Sequence, residues 1–258
     1  AGMVPVISSE ILSGHPFFGG IGSDDYARRL KAIAPDANVL ISIRSQMRIL
    51  TSVYMQYLLR GGTMGPQMFF AGDPELGFFG FRPEHFEYHR LIGLYRDLFG
   101  PENVHVITQE SLSADMDGAT RRLAAFAGNA GFDGVLQTHR SAYAPSYPEY
   151  AVPVLRRINK LQKSVLTPAP TIKIGTTPDG FYRAFGYVLR RPPFSWIMGG
   201  YHPVSLHVEK TFRGRFDASN RELAKIAGYL DLSDYSGVTA MTKPAASSSA
   251  KARLASAR

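Results

Sequence analysis

Arg44 and Ser52 are the two residues whose types and spacing best suit the binding of an anion. Arg44 directly follows the apolar run 39–43, which is rich in β-branched residues and is typical of a buried strand. Ser52 lies inside a segment with helical periodicity. An arginine and a hydroxyl at the carboxyl end of a strand both donate hydrogen bonds to a phosphate. The plainer interpretation, an ordinary strand–helix junction with a surface arginine and a helix serine, fits the spacing equally well.

The elements that would position this pair predict an α/β fold. The periodic segment after Arg44 predicts a helix that ends at Gly61 and Gly62. Further strands are predicted at 4–8 and 104–108, and further helices at 24–33, 83–99 and 119–126. Strands that alternate with helices in this way favour a parallel sheet.

The remaining segments complete a predicted single domain over residues 1–240. Residues 63–80 predict a long apolar loop, which either packs on the core or forms a wall of a pocket for a small molecule. The part from 135 to 215 is predicted to be mostly helical and to lie on the side of the same pocket. Three C-terminal helices are predicted at 152–166, 181–189 and 219–228. The tail 241–258, rich in Ala, Ser and Lys, is predicted to be disordered.

Composition excludes several classes of protein. The 258 residues include no cysteine, which rules out disulfides and thiolate metal sites, and the histidines show no metal-binding spacing. The apolar runs are far too short to span a membrane, and we expect a cytoplasmic protein without a metal. The net charge is +8, and the tail 241–258 supplies four of these charges. Residues 1–240 are therefore mildly basic, which suits an anionic ligand. A nucleic-acid partner is disfavoured because the sequence has no dense stripe of basic residues with interleaved aromatics.

An ordered set of positions resembles a known family. The segment 41–44, followed by Ser52 and then by Tyr54, resembles the part of PAPS-dependent sulfotransferases that binds the 3′-phosphate of the cofactor. PAPS is 3′-phosphoadenosine 5′-phosphosulfate. Segments 86–88 and 98–112 are similar to the family's next helix and strand. Residues 216–224 are similar to bacterial members thought to act on carbohydrate or lipid-linked acceptors.

The resemblance implies direct in-line transfer of a sulfuryl group from PAPS to a hydroxyl of a carbohydrate or other small acceptor, without a metal. It implies that Arg44 and Ser52 bind PAPS or its product, 3′-phosphoadenosine 5′-phosphate (PAP). In the family the base is a Glu or His just past another strand, and Glu10 occupies the matching place here. His15 is the alternative base, and Glu110 is expected to be structural.

One part of the family pattern is missing. The family's sheet, which is similar to that of P-loop NTPases, contains a strand followed by a Gly/Ser/Thr-rich loop with a Lys or Arg that holds the 5′-phosphosulfate. No such loop precedes residue 4, and the glycine-rich segment 19–23 has no lysine. In the family this strand lies between the equivalents of 39–43 and 104–108. We therefore expect a parallel sheet flanked by helices that lacks its loop-bearing strand, with a helical C-terminal part.

Three explanations stand for the missing loop. The chain is an N-terminally truncated product of a longer gene, with a start mis-assigned at Met3; or it is a degenerate member in which the two strands meet directly; or it lies outside the family. The second explanation corresponds to another function, that of a catalytically inactive nucleotide-binding or scaffold protein. A basic nucleic-acid-binding module is a weaker third hypothesis. Unpaired strands would also favour a homo-oligomer.

Overall fold

A computed structural model of the chain describes residues 5–74, 80–129, 131–134, 147–170 and 175–238. Within these ranges the strands are β1 (Val39–Ile43) and β2 (Val104–Thr108). The α-helices of the same ranges are α1 (Ser23–Ile33), α2 (Gln46–Leu59), α3 (Pro66–Ala71), α4 (Tyr88–Phe99), α5 (Gln109–Ala114), α6 (Met116–Phe126), α7 (Val152–Leu161), α8 (Gly180–Leu189), α9 (Phe194–Met198), α10 (Pro203–Phe212) and α11 (Asp217–Ile226). Short 3₁₀ helices lie at Glu10–Ser13, Pro16–Phe18, Pro83–Phe86, Pro101–Asn103 and Glu149–Ala151.

The two strands form a parallel sheet. They pair in a register that runs from Val39 opposite Val104 to Ile43 opposite Thr108. The expectation of an α/β fold with parallel strands is confirmed, and both strands lie where the apolar runs predicted them. Because the strands are parallel, their carboxyl ends meet at one edge of the sheet. Arg44 leaves β1 at this edge, beside the start of α5.

Direct pairing of β1 with β2 settles how these strands meet in the described chain. Neighbouring strands lie about 4.8 Å apart, so no further strand fits between two strands that are already bonded to each other. A loop-bearing strand between them is therefore absent from the described residues. The arrangement is the one supposed by the second of the three explanations above.

The strand predicted at 4–8 is wrong for the residues that the structure describes. Residues 5–9 form no strand, and the side chains of Val6 and Ile7 are 83% and 86% exposed. A strand needs a neighbour that accepts its backbone hydrogen bonds and a core that covers its apolar side chains, and this segment has neither. Sequence propensity alone therefore gave the wrong element.

Two predicted loop and helix boundaries also differ. Helix α3 lies inside the predicted loop 63–80, because Pro66 suits a first helical turn and Phe69 and Phe70 are buried in the core. This part of the segment packs on the core, while residues 75–79 lie outside the described residues. The helix predicted at 83–99 is interrupted at Glu87, whose ψ of 74° is not helical, so that α4 begins at Tyr88.

The three predicted C-terminal helices are present as α7, α8 and α11 with shifted ends, whereas α9 and α10 were not predicted as separate helices. Helix α7 stops at Leu161 rather than at residue 166, because the backbone of Gln162 becomes extended. The side-chain amide of Gln162 then donates to the carbonyl oxygen of Asp179 at 2.7 Å. The described parts of 135–215 are mostly helical, as predicted. Residues 135–146, 171–174 and the predicted tail 241–258 lie outside the described residues.

Helix α2 lies at the centre of the core. Its buried side chains include Leu50, Val53 and Leu58, and it packs against α7 and α10. A single cluster of buried apolar side chains extends from Phe17 to Tyr235 and so includes both halves of the described chain. None of the described helices is both long and apolar enough to cross a membrane.

Candidate functional site: a cavity at the carboxyl edge of the sheet

Arg44 is the first residue beyond β1. Its backbone is fixed because the hydroxyl of Tyr88 donates to the carbonyl oxygen of Arg44 at 2.7 Å. Burial raises the pKa of Tyr88, which keeps this hydroxyl a neutral donor. The side chain of Arg44 is half-buried, and its guanidinium forms no ion pair with any described residue. Arg44 is thus a half-buried cation on a fixed backbone, and no described carboxylate forms an ion pair with it.

The start of α2 is hydrogen-bonded to the first turn of α5, which directly follows β2. The backbone N–H of Ser45 donates to Oε1 of Glu110 at 3.1 Å. The same carboxylate lies 3.9 Å from the guanidinium of Arg48 and 3.5 Å from the hydroxyl of Tyr235, which donates to it. Burial, followed by the negative charge of Glu110, raises the pKa of Tyr235. These contacts give Glu110 a structural position at this junction.

A buried pair of amides fixes the same turn from the opposite side. The side chain of Gln46 donates to the amide oxygen of Asn220 at 2.7 Å, and Asn220 returns a bond to Gln46 at 3.3 Å. The Gln46 amide also donates to the carbonyl of Phe86, and Asn220 donates to the carbonyl of Ser236. Both side chains are almost fully buried. Helix α11 therefore determines where α2 begins.

The exposed face of α2 and the facing side of α10 enclose a cavity of about 370 Å³, which we call the arginine cavity. Its lining consists of Arg44, Met47, Arg48, Thr51, Ser205 and Glu209. Cavities that hold small ligands measure roughly 300–1,000 Å³, so this one suits part of a nucleotide. Met47, Arg48 and Thr51 have the spacing of one face of α2, and Arg44 lies two residues before this helix.

The charged side chains that line the arginine cavity differ in whether they have an ion-pair partner. Arg48 is 56% exposed and is partly neutralised by Asp234 at 3.3 Å. Glu209 is paired with Arg213 at 3.0 Å. Arg44 has no such partner among the described residues. The cavity is therefore suited to an anion that approaches Arg44 and lies away from Glu209.

Two hydroxyl groups also line the cavity. The hydroxyls of Thr51 and Ser205 lie 3.4 Å apart across the junction of α2 and α10. Ser205 is held by Glu149, whose carboxylate accepts from the Ser205 hydroxyl at 2.5 Å and from its backbone N–H at 2.8 Å. The N–H of Val204 donates to the same carboxylate at 2.9 Å. Glu149 thus caps α10 and places Ser205 at the cavity.

Ser52 and Tyr54 lie elsewhere on α2. Ser52 is half-buried, one turn beyond Arg48, and is not among the residues that line the cavity. Tyr54 is fully buried in the aromatic core, and its hydroxyl donates to the carbonyl of Met64 at 2.9 Å. The structure therefore brings Arg44 into the cavity, leaves Ser52 beside it, and gives Tyr54 a structural position.

The predicted bases lie on a different segment. The backbone of Glu10 begins a short 3₁₀ helix rather than following a strand, and its side chain lies outside what the structure describes. Nδ1 of His15 accepts from the N–H of Phe17 at 3.1 Å and so caps the next 3₁₀ helix. Burial, and then the positive charge of His15, lower the pKa of the nearby His85 to about 4.

Sequence reasoning missed four residues of the arginine cavity, namely Met47, Thr51, Ser205 and Glu209. Met47 and Thr51 were identifiable, because they share one face of α2 with Arg48. Ser205 and Glu209 carried no local signal, since only the packing of α10 against α2 brings them to the cavity.

The guanidinium of Arg44 can bind an anion and orient it as a forked donor, whereas the hydroxyls of Thr51 and Ser205 already donate to the carbonyl of Met47 and to the carboxylate of Glu149. The residues that the structure describes contain no group of three or more His, Asp or Glu residues arranged to hold a metal ion. Comparisons of the chain with models of protein families, with curated proteins and with solved structures found no match.

Proposed function

We propose that the chain binds the 3′-phosphate of PAPS or PAP in the arginine cavity and serves sulfuryl transfer to a hydroxyl acceptor. One observation carries this proposal: Arg44, at the carboxyl end of β1, lines a cavity that suits part of a nucleotide and has no ion-pair partner among the described residues. Ligands of α/β proteins bind at this end of the strands. The order of Arg44, Ser52 and Tyr54 in the sequence supports the same cofactor.

In this proposal the arginine cavity holds one end of the cofactor and leaves the other end to react. The guanidinium of Arg44 donates two parallel hydrogen bonds to the 3′-phosphate. The bond between sulfur and the phosphate oxygen of PAPS breaks as a bond forms between sulfur and the acceptor oxygen, and the hydroxyl proton passes to a base. Glu10 is the proposed base, and a carbohydrate or another small hydroxyl compound is the proposed acceptor.

The test is calorimetric titration of the full chain with PAP and, in parallel, with adenosine 5′-phosphate, which lacks the 3′-phosphate. Arg44→Ala removes a charge-assisted bidentate contact, so we expect it to weaken PAP binding by roughly tenfold to 100-fold. Binding of adenosine 5′-phosphate should not change. Arg28→Ala, on the exposed face of α1, is the control for the loss of one positive charge. PAP affinity equal in the wild type and Arg44→Ala would refute the site.

A second candidate function is nucleotide binding without transfer. The direct pairing of β1 with β2 favours it, because a loop-bearing strand has no place between them in the described chain. Incubation with PAPS and a set of carbohydrate acceptors separates the two functions. Formation of a sulfated product together with PAP supports the transferase, whereas tight PAP binding without product supports the inactive binding protein.

A further inference from the structure

Helix α8 has apolar side chains on a buried side and on an exposed side. Tyr182 and Gly186 are buried on its inner side. On its outer side Phe181, Phe185 and Val188 remain about half exposed, with the two phenyl rings 6.4 Å apart. A helix that is apolar all round is normally covered on every side. Among the described residues, only the inner side of α8 has a cover.

Helix α9 follows after a four-residue connection and buries none of its residues. Trp196 is 80% exposed and Ile197 is 79% exposed. A five-residue helix has little stability of its own and normally depends on packing against other elements. No residue of α9 is buried, so packing within the described fold does not account for its apolar side chains. Large exposed apolar areas of this kind mark interaction sites. We call the outer surface of α8 and α9 the α8–α9 patch, formed by Phe181, Phe185, Val188, Phe194, Trp196 and Ile197.

The charges within the segment that carries the patch are positive. Residues 180–201 contain no Asp or Glu and include Arg183, Arg190 and Arg191. Arg191 is exposed and lies 4.1 Å from the ring centre of Tyr187. Arg183 is exposed and has one exposed partner, Asp179, at 3.5 Å. The patch is therefore an apolar surface with a basic margin.

We propose that the α8–α9 patch binds the surface of an anionic phospholipid membrane, with Trp196 and Ile197 inserted at the headgroup level. Tryptophan and aromatic side chains favour this interface because they combine an apolar body with a polar group. Arginines at its margin are attracted to acidic headgroups. The proposal concerns a different surface from the arginine cavity and is independent of the function proposed above.

A second copy of the chain is the competing occupant, and the charges disfavour it. In a two-fold symmetric contact each patch meets its own copy, so Arg183 and Arg191 would face a surface that is also basic. Juxtaposed like charges oppose such a contact, whereas an acidic lipid surface complements them.

Trp196 is the sole tryptophan of the chain, so intrinsic tryptophan fluorescence reports on the patch alone. The experiment titrates the full chain with vesicles of phosphatidylcholine and, separately, with vesicles that also contain phosphatidylserine. We expect the emission to shift to shorter wavelength with the anionic vesicles and the protein to co-sediment with them. Neutral vesicles should produce little of either effect.

Two variants test the two parts of the surface. Ile197→Asp removes an inserted apolar group while keeping the reporter, and we expect it to abolish co-sedimentation. Arg183→Gln/Arg191→Gln should weaken binding to anionic vesicles by about 25-fold, since each interfacial arginine contributes about fivefold. Arg28→Gln/Arg29→Gln, on the exposed face of α1, removes the same charge elsewhere and should bind as the wild type does.

Three results would overturn the proposal. The first is an emission maximum that no vesicle shifts. The second is equal binding to neutral and anionic vesicles. The third is a shift that appears without lipid and grows with protein concentration, which would assign the patch to self-association.

Discussion

The backbone N–H of Ser45 donates to Oε1 of Glu110 at 3.1 Å, so the residue after Arg44 is bonded to the segment that follows β2. Glu110 lies in the first turn of α5 and faces the first turn of α2. A carboxylate at a helix N-terminus is stabilised by the free N–H groups and by the helix dipole. This bond therefore fixes the junction from which Arg44 enters the arginine cavity.

Removal of this carboxylate should destabilise the fold. Glu110→Ala leaves the N–H of Ser45 without its acceptor and removes the contacts to Arg48 and Tyr235. We expect a loss of about 1–3 kcal/mol in the free energy of unfolding. Glu110→Gln keeps an acceptor oxygen and should lose less. Urea unfolding followed by circular dichroism measures both, and an unfolding midpoint of Glu110→Ala equal to that of the wild type would contradict the assignment.

The buried His85 should make stability depend on pH. Burial, and then the positive charge of His15, lower its pKa from 6.5 to about 4 in the folded chain. The unfolded chain therefore binds the proton more readily, and the stability present above pH 6.5 is lost as the pH falls toward 4. The loss approaches about 3 kcal/mol by the usual conversion of a pKa shift into free energy.

His85→Gln removes this titration and provides the measurement. Other carboxyl groups titrate in the same range, so the informative quantity is the difference in unfolding free energy between the wild type and the variant at each pH. We expect this difference to change steadily between pH 6.5 and about 4. A difference that is constant over this range would show that His85 is not shifted.

Glu209 should oppose the binding of an anion in the arginine cavity. It is the one carboxylate in the lining that the structure describes, and its side chain is 59% exposed. Glu209→Gln should raise the affinity for PAP by about twofold to fivefold, the size of effect usual for an exposed charge. Glu222→Gln, an exposed glutamate on α11, is the matched control. Calorimetry at low ionic strength measures both, and equal affinities in the two variants would place the anion elsewhere.

Local sequence predicted what depends on local physics. The apolar runs that became β1 and β2 are short, rich in β-branched residues and bounded by turn residues, and their parallel order follows from the helices between them. The glycines Gly61 and Gly62 also predicted the end of α2. The structure explains why, since Gly61 has a φ of 97°, a conformation that favours glycine. Arg44 at the edge of the sheet followed directly from the position of β1.

The features that the sequence did not predict depend on tertiary packing. Val6 and Ile7 have strand-like character, but no described strand lies beside them. On α2 a difference of one position rotates a side chain by about 100°, so Thr51 reaches the cavity and Ser52 does not. Ser205 enters the cavity because Glu149 caps α10, and no pattern near either residue indicates that contact.

The amides of Gln46 and Asn220 pair although 174 residues separate them in the sequence. The first turn of α2 is therefore completed only after the chain has closed a loop of that length. Contacts between distant residues form slowly because chain entropy opposes them. During synthesis, most of the described chain must leave the ribosome before Gln46 has its partner. A fragment that ends before α11 would lack the bond that fixes the start of α2, so the arginine cavity belongs to the assembled fold rather than to the strand–helix unit that carries its arginines.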